Sequence, residues 1–312
     1  MKFARNNDLC SAKVAPSSLQ NTVWISPQPL QLLSQVPLGT GYYGKVYKAL
    51  HLVLNEPMAV KHILLFKALQ ACSWNVDLLL REIKHMRQVE HANVWTSTND
   101  EFSLFIQMEF FDSTLDVWLK ERPTKEERQG EGVVSIFVQM LQGLDAIHRK
   151  DILHRDIKSN NIFYKEENDK KIWKIGDLGL SKKVNSSSGE ESSLDDDGLS
   201  HVGNVNCRSP EMSKGLNYTY KTDIYSMGLV FLEILLPEVT NSGKKIQVFS
   251  QIRESENLAG YLPDLLRGAG SEDKNHKIRE NGVMYEILEG MLNSVPLCRL
   301  EIYEILKLLG ST

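Results

Sequence analysis

His154-Arg155-Asp156-Ile157-Lys158-Ser159-Asn160-Asn161, with Asp177-Leu178-Gly179 a short way downstream, is the stretch that decides the reading of this chain. The order H-R-D-x-K-x-x-N and then D-x-G supplies a carboxylate to act as a base and a lysine beside it. Asn161 and Asp177 supply oxygen ligands for a divalent cation. Phosphoryl transfer requires these parts on two neighbouring loops. A lone His-Arg-Asp is a weak signal, because an isolated Asp is most often a solvated surface group. The whole string in this order is a strong one.

Three further signals precede it in the order this chemistry needs. Leu38-Gly39-Thr40-Gly41-Tyr42-Tyr43-Gly44-Lys45-Val46 reads G-x-G-x-x-G-x-V between alternating apolar runs, as a strand–turn–strand would. Gly39, Gly41 and Gly44 let backbone approach the phosphates of a nucleotide with no Cβ in the way, and Val46 is placed to pack on its base. Met58-Ala59-Val60-Lys61 reads as a strand that carries a phosphate-binding lysine. Leu78 to Met86 has apolar residues at 79, 83 and 86, a helical spacing. Glu82 lies beside that stripe as the natural ion-pair partner of Lys61, whereas Arg81 and Lys84 read as a solvated face.

With these four signals on the page, the chain resembles a eukaryotic protein kinase catalytic domain from about Val36 to Leu309. Lys158, two residues after Asp156, is the form seen in Ser/Thr kinases. Ser209-Pro210-Glu211 resembles the A-P-E motif, Asp223 to Gly228 resembles D-x-W-S-x-G with Tyr225 for Trp, and Arg299 resembles the late arginine that pairs with the A-P-E glutamate. The resemblance implies an α+β, two-lobed fold. Its small N-lobe, about 31–109, would hold an antiparallel sheet and one helix, followed by a hinge at about 109–112. A larger, mainly helical C-lobe would fill about 113–312, after a flexible lead-in at 1–30. It also implies ATP and Mg2+ as cofactors. The nucleotide would sit between the lobes against Leu38, Val46, Ala59, Glu109 and Phe111, behind gatekeeper Met108. Lys61, oriented by Glu82, would hold the α- and β-phosphates. Asn161 and Asp177 would hold Mg2+, Asp156 would take the proton of a protein hydroxyl, and Lys158 would neutralise charge on the γ-phosphate.

A finer resemblance is to the kinases of the translation initiation factor 2 α-subunit. Leu104 to Phe110, His154 to Phe163 and Tyr225 to Leu235 carry it, with Trp118 as a lesser sign that core packing explains equally well. It implies that subunit as a protein substrate, a role in translational stress control, and a homodimer through the N-lobe. In that family the helix after the long C-lobe helix docks the subunit. The matching stretch is Lys244 to Arg253, where Ile246, Phe249 and Ile252 would face inward and Lys245, Gln251 and Arg253 outward. Two other readings stay open: a Ser/Thr kinase of another subfamily, and a pseudokinase scaffold.

Composition agrees with one enzyme domain. The 312 residues are 42% hydrophobic and 24% charged, as in an ordinary soluble protein. A net charge of −4 makes no case for nucleic-acid or membrane binding by bulk electrostatics. Cys10, Cys72, Cys207 and Cys298 form no C-x-x-C pair, which suits reduced thiols in the cytoplasm. No signal-peptide core or membrane-spanning apolar run is present. Residues 1–30 are too short for a double-stranded-RNA sensor domain.

The periodicity predicts three strands over 32–64, a helix over 76–89, a strand over 102–110, and helices at 133–148, 223–236, 285–292 and 301–309. Glu121 to Gly132 reads as a charged loop. His91 to Trp95 begins like H-P-N-I-V and then runs short, which predicts a trimmed connection. Asn204 stands where kinases usually carry Thr. The stretch 185–200 holds Ser186, Ser187, Ser188, Ser192, Ser193 and Ser200 among acidic residues. It reads equally as a disordered polar loop and as a phosphorylation segment that Arg155 would order.

Overall fold

The computed structural model describes residues 30–40, 44–64, 93–96, 103–130, 132–184, 205–216, 219–240, 242–255, 258–267 and 277–310. The chain divides into two compact units, up to Phe110 and from Phe111. Within the first unit the described strands are β1 (Leu30–Leu32), β2 (Gly39–Thr40), β3 (Lys45–His51), β4 (Glu56–Leu64), β5 (Asn93–Thr96) and β6 (Ser103–Glu109). They form one antiparallel sheet in the order β1-β3-β4-β6-β5, and β2 also pairs with β3. The reversal from β3 to β4 uses Asn55 at φ 55, a left-handed conformation that Asn tolerates. Its N–H reaches the His51 carbonyl at 2.7 Å. The strand expected over 102–110 is β6. The predicted helix over 76–89 lies outside the described residues.

Strand alternation gives this sheet two unlike faces. Val60, Ala49 and Phe105 are buried together on one, with Leu30 and Leu32 packed against them. His62 stacks on Phe105 there, with centroids 4.6 Å apart, and burial beside Lys45 pulls its pKa down to about 4. The other face carries Val46, Ala59, Lys61 and Met108, because Val46 pairs with Lys61 and Ala59 with Met108.

The second unit is mainly helical. It opens with β7 (Ser113–Thr114), α1 (Leu115–Glu121), α2 (Lys125–Gln129) and α3 (Val133–His148). Then come β8 (Ile152–Leu153), β9 (Ile162–Glu167), β10 (Lys170–Ile175) and β11 (Lys182–Lys183). The later helices are α4 (Pro210–Ser213), α5 (Lys221–Leu235), α6 (Ser242–Glu254), α7 (Leu258–Arg267), α8 (Lys277–Met291) and α9 (Ile302–Leu308). α3 spans the range its periodicity predicts. Its inward stripe is Ile136, Phe137, Met140, Leu141, Leu144 and Ile147, so Val134 and Val138 sit at the edge of the stripe rather than within it. Phe137 stacks on Phe231 of α5 at 3.8 Å, and Trp118 is fully buried edge-on to Trp173. None of the described helices is long and apolar enough to cross a membrane.

The stretch 121–132 corrects its reading as a charged loop. Thr124 and Glu127 form a capping box that starts α2, and Arg128 is 1% exposed. All of its guanidinium nitrogens donate. Nε reaches the Arg122 carbonyl at 2.8 Å, Nη1 the Glu233 and Ile234 carbonyls, and Nη2 the Leu119 carbonyl and Thr240 Oγ1. Burial pulls its pKa down to about 10, so it remains a cation at neutral pH.

Candidate active site

The stretch 154–161 runs between two fixed points. β8, just before it, pairs with β11, and β9, just after it, pairs with β10. The buried α5 holds its first residues. Asp223 Oδ2 accepts the His154 N–H at 2.8 Å and the His148 ring at 2.9 Å, and its Oδ1 accepts the Arg155 N–H at 2.9 Å. Burial would push the Asp223 carboxyl up, but His148 and the His154 N–H hold it below the usual carboxylate range. These bonds fix Arg155 in the left-handed region at φ 65, a conformation that costs a side-chain-bearing residue energy unless its surroundings impose it.

Asp156 is buried and turned toward its sequence neighbours. Lys158 Nζ donates to its Oδ2 at 2.6 Å. Asn161 Nδ2 donates to the same Oδ2 and to the Asp156 carbonyl, each at 2.8 Å. The 3-10 turn Ser159–Asn161 makes this possible by bringing Asn161 back over the carboxylate. A crevice lined by Arg155, Asp156, Ile157, Cys207, Arg208 and Ser226 adjoins it. Burial pushes the Cys207 thiol up to about 11, so it stays protonated there.

The D-x-G segment is tied to the same loop. Gly176 donates its N–H to the Asn161 carbonyl at 2.9 Å, and its own carbonyl meets the His154 ring at 3.0 Å. A Cβ at Gly176 would lie 2.9 Å from the Phe163 ring, so glycine lets the strand end pass. Asp177 follows at φ 62, with Leu178–Leu180 in a 3-10 turn. The donor set fits Mg2+. Asn161 commits its amide nitrogen to Asp156, so its carbonyl oxygen is the atom left for a metal, and Asp177 adds a carboxylate. One or two protein oxygens suffice for Mg2+, which takes the rest of its shell from phosphates and water.

The nucleotide candidates of the first unit assemble on its sheet. Val46, Ala59, Lys61 and Met108 share one face, and Lys61 is 7% exposed. Leu38 donates its N–H to the Val46 carbonyl at 2.7 Å, and Gly39 pairs with Val46. Gly44 lies so close to β4 that a Cβ would fall 2.2 Å from the His62 carbonyl oxygen. Glu109 ends β6. Phe111, at the start of the second unit, packs on Phe163 with centroids 5.6 Å apart. Gly41, Glu82, Asn204 and the serines of 185–200 lie outside the described residues.

The expected pair of Glu211 and Arg299 is present and bidentate, with both contacts at 2.7 Å. Thr222 adds a hydrogen bond to Glu211 at 2.8 Å. Arg155 sends its Nε to the Leu180 carbonyl at 2.6 Å. The face expected of α6 holds for exposed Gln251 and buried Phe249 and Ile252, and is corrected at three positions. Lys245 turns in to Glu233 at 2.6 Å, Arg253 donates to the Arg208 carbonyl at 3.0 Å, and Ile246, expected inward, is exposed. A three-residue spacing drifts off a 3.6-residue helix, so Val248, Phe249 and Ile252 form the buried stripe.

The family described as "Protein kinase domain" matches residues 33–308. Over 243 residues the chain is 32% identical to the "Interferon-induced, double-stranded RNA-activated protein kinase" of Rattus norvegicus, covering 69% of this chain and 43% of that protein. It is 31% identical over 156 residues to "Eukaryotic translation initiation factor 2-alpha kinase 3" of Rattus norvegicus, covering 48% of this chain and 14% of the relative. "Serine/threonine-protein kinase atg1" of Dictyostelium discoideum is 27% identical over 224 residues, 70% of this chain and 32% of that protein. The chain thus spans less than half the length of each of these relatives.

Proposed function

This chain belongs to the protein kinase domain family, and we propose that it is a protein Ser/Thr kinase whose substrate is the α subunit of translation initiation factor 2, phosphorylated in the cytoplasm. The substrate reading is supported by the similarity to a kinase named for that subunit. The chemical reading is carried by one observation: the buried Asp156 carboxylate receives both Lys158 and Asn161.

In this proposal Lys61, oriented by Glu82, binds the α- and β-phosphates of ATP. The backbone at Gly39, Gly41 and Gly44 follows the phosphates. Leu38, Val46, Ala59, Met108, Glu109 and Phe111 enclose the adenine. Asn161 and Asp177 hold Mg2+ through oxygen. Bound Mg2+-ATP supplies the phosphoryl group and part of the charge neutralisation. Asp156 accepts the proton of the attacking hydroxyl, and Lys158 stabilises the negative charge that builds beside it. Most of the rate comes from positioning and electrostatics rather than covalent chemistry.

The test incubates the full chain with labelled ATP, the intact subunit and a short serine peptide. Labelled phosphoserine on the subunit is expected, together with its loss in Asp156→Asn, which still binds nucleotide. Label on the peptide alone would transfer the protein to another Ser/Thr subfamily, such as that of the Dictyostelium relative. Robust transfer by Asp156→Asn would remove the base assignment.

A further inference from the structure

One buried helix grips the catalytic stretch at both ends. At the start, Asp223 takes the N–H groups of His154 and Arg155. At the other end lies a second buried carboxylate, Glu233, whose side chain is 1% exposed and paired with Lys245 Nζ at 2.6 Å. The same Nζ donates to Ser159 Oγ at 3.3 Å. Ser159 is 1% exposed and also hydrogen-bonds the Glu233 carboxylate. Asp223 and Glu233 lie ten positions apart on α5, about 15 Å along its axis at the rise of an α-helix.

A buried ion pair is a poor device for stability alone, since well-packed apolar residues of the same volume do as well or better. This one has a second use for its cation. Ser159 opens the turn that brings Asn161 Nδ2 to Asp156 Oδ2. We propose that Glu233, Lys245 and Ser159 are positioning residues for Asp156: Glu233 sets Lys245, Lys245 fixes the Ser159 hydroxyl, and the turn from Ser159 presents Asn161 to the carboxylate. None of the three touches the reacting atoms. The role rests on Asp156 being the base.

Ser159→Ala removes only the hydroxyl. The expected result is a fall in kcat of about 5–10-fold, with KM for ATP within about twofold of the parent. The thermal midpoint should stay within about 2 °C. Ser159→Thr, which keeps a hydroxyl, should recover at least half of the rate. The double variant Glu233→Gln/Lys245→Met removes both charges without leaving either one buried and unpaired. It should lose the same factor as Ser159→Ala, and adding Ser159→Ala to it should cost nothing more. A parental kcat in Ser159→Ala, additive losses in the triple variant, or failure of Thr to rescue would each overturn the relay. Asp156→Asn runs alongside. Activity there would sink the base assignment itself, an outcome separate from failure of the relay.

Discussion

Arg128→Met tests how the second unit is held, because this side chain looks like surface in the sequence and is interior in the fold. It would remove five hydrogen bonds, four to backbone carbonyls of Leu119, Arg122, Glu233 and Ile234 and one to Thr240. A hydrogen bond from a charged donor contributes about 1.5–3 kcal/mol, and an orphaned buried acceptor costs about 1–3 kcal/mol. The losses do not add. The cost of burying the guanidinium disappears with it, and the Met side chain keeps part of the packing against the helices. A net loss of about 3–4 kcal/mol is expected, at the upper end of single substitutions. For a unit of this size that corresponds to about 6–16 °C in the thermal midpoint. Urea unfolding followed by far-UV circular dichroism measures it. Arg149→Met is the control. Arg149 pairs with Asp145 at 2.7 Å but is 77% exposed, so its loss should stay within about 1 kcal/mol. An Arg128→Met protein within about 1 kcal/mol of the parent would refute the claim that these bonds hold α2 to α1 and α5.

Glu211 gives a pH dependence. Burial would raise its carboxyl, but Arg299 holds it below the usual carboxylate range. Its stabilisation is therefore complete above the unfolded value of about 4.3 and is lost as pH falls through the lower folded value. Glu211→Gln should flatten stability against pH in that acid window, and an unchanged slope would contradict it. Gly44→Ala should raise KM for ATP about tenfold or more, some 1.4 kcal/mol, because its Cβ would fall 2.2 Å from the His62 carbonyl and the sheet must shift. A parental KM would separate that turn from nucleotide binding. Iodoacetamide at about pH 8 should label the exposed Cys298 and spare Cys207, whose thiol is held up near 11. Equal labelling rates in peptide mapping would show that Cys207 is accessible.

The parts legible in sequence are those where one physical rule acts alone. α3 and α5 follow from apolar spacing, and β6 from its apolar run. The loop from His154 to Asn161 was legible because its chemistry needs fixed residue types at fixed spacing. What stayed hidden depends on distant partners. Arg128 stands in a run of charges that composition assigns to water, and only the carbonyls at the ends of α1 and α5 draw it inside. Lys245 and Arg253 went the same way. Their helix was assigned its outer face from a three-residue spacing, while the carboxylate that claims Lys245 is 12 positions away on another helix.

α5 explains why so much of the site converges in the second unit. All but two of its residues, Lys221 and Leu235, are buried, and a helix apolar all round needs no polar side chain for its own packing. It nevertheless buries Thr222, Asp223, Ser226 and Glu233. The Tyr225 hydroxyl of the same helix has no hydrogen-bond partner among the described residues, but each of these four side chains has one. The partners lie on different segments. Thr222 reaches Glu211, Asp223 the backbone of His154 and Arg155, Ser226 the Cys207 carbonyl at 2.7 Å, and Glu233 both Lys245 and Ser159. The apolar surface of α5 fixes the helix in the core, and these four hydrogen-bonded side chains carry that fixed frame outward to the loops that do the chemistry. A loop held this way needs no regular structure of its own, which is why 154–158 can be irregular and still hold Asp156 in place.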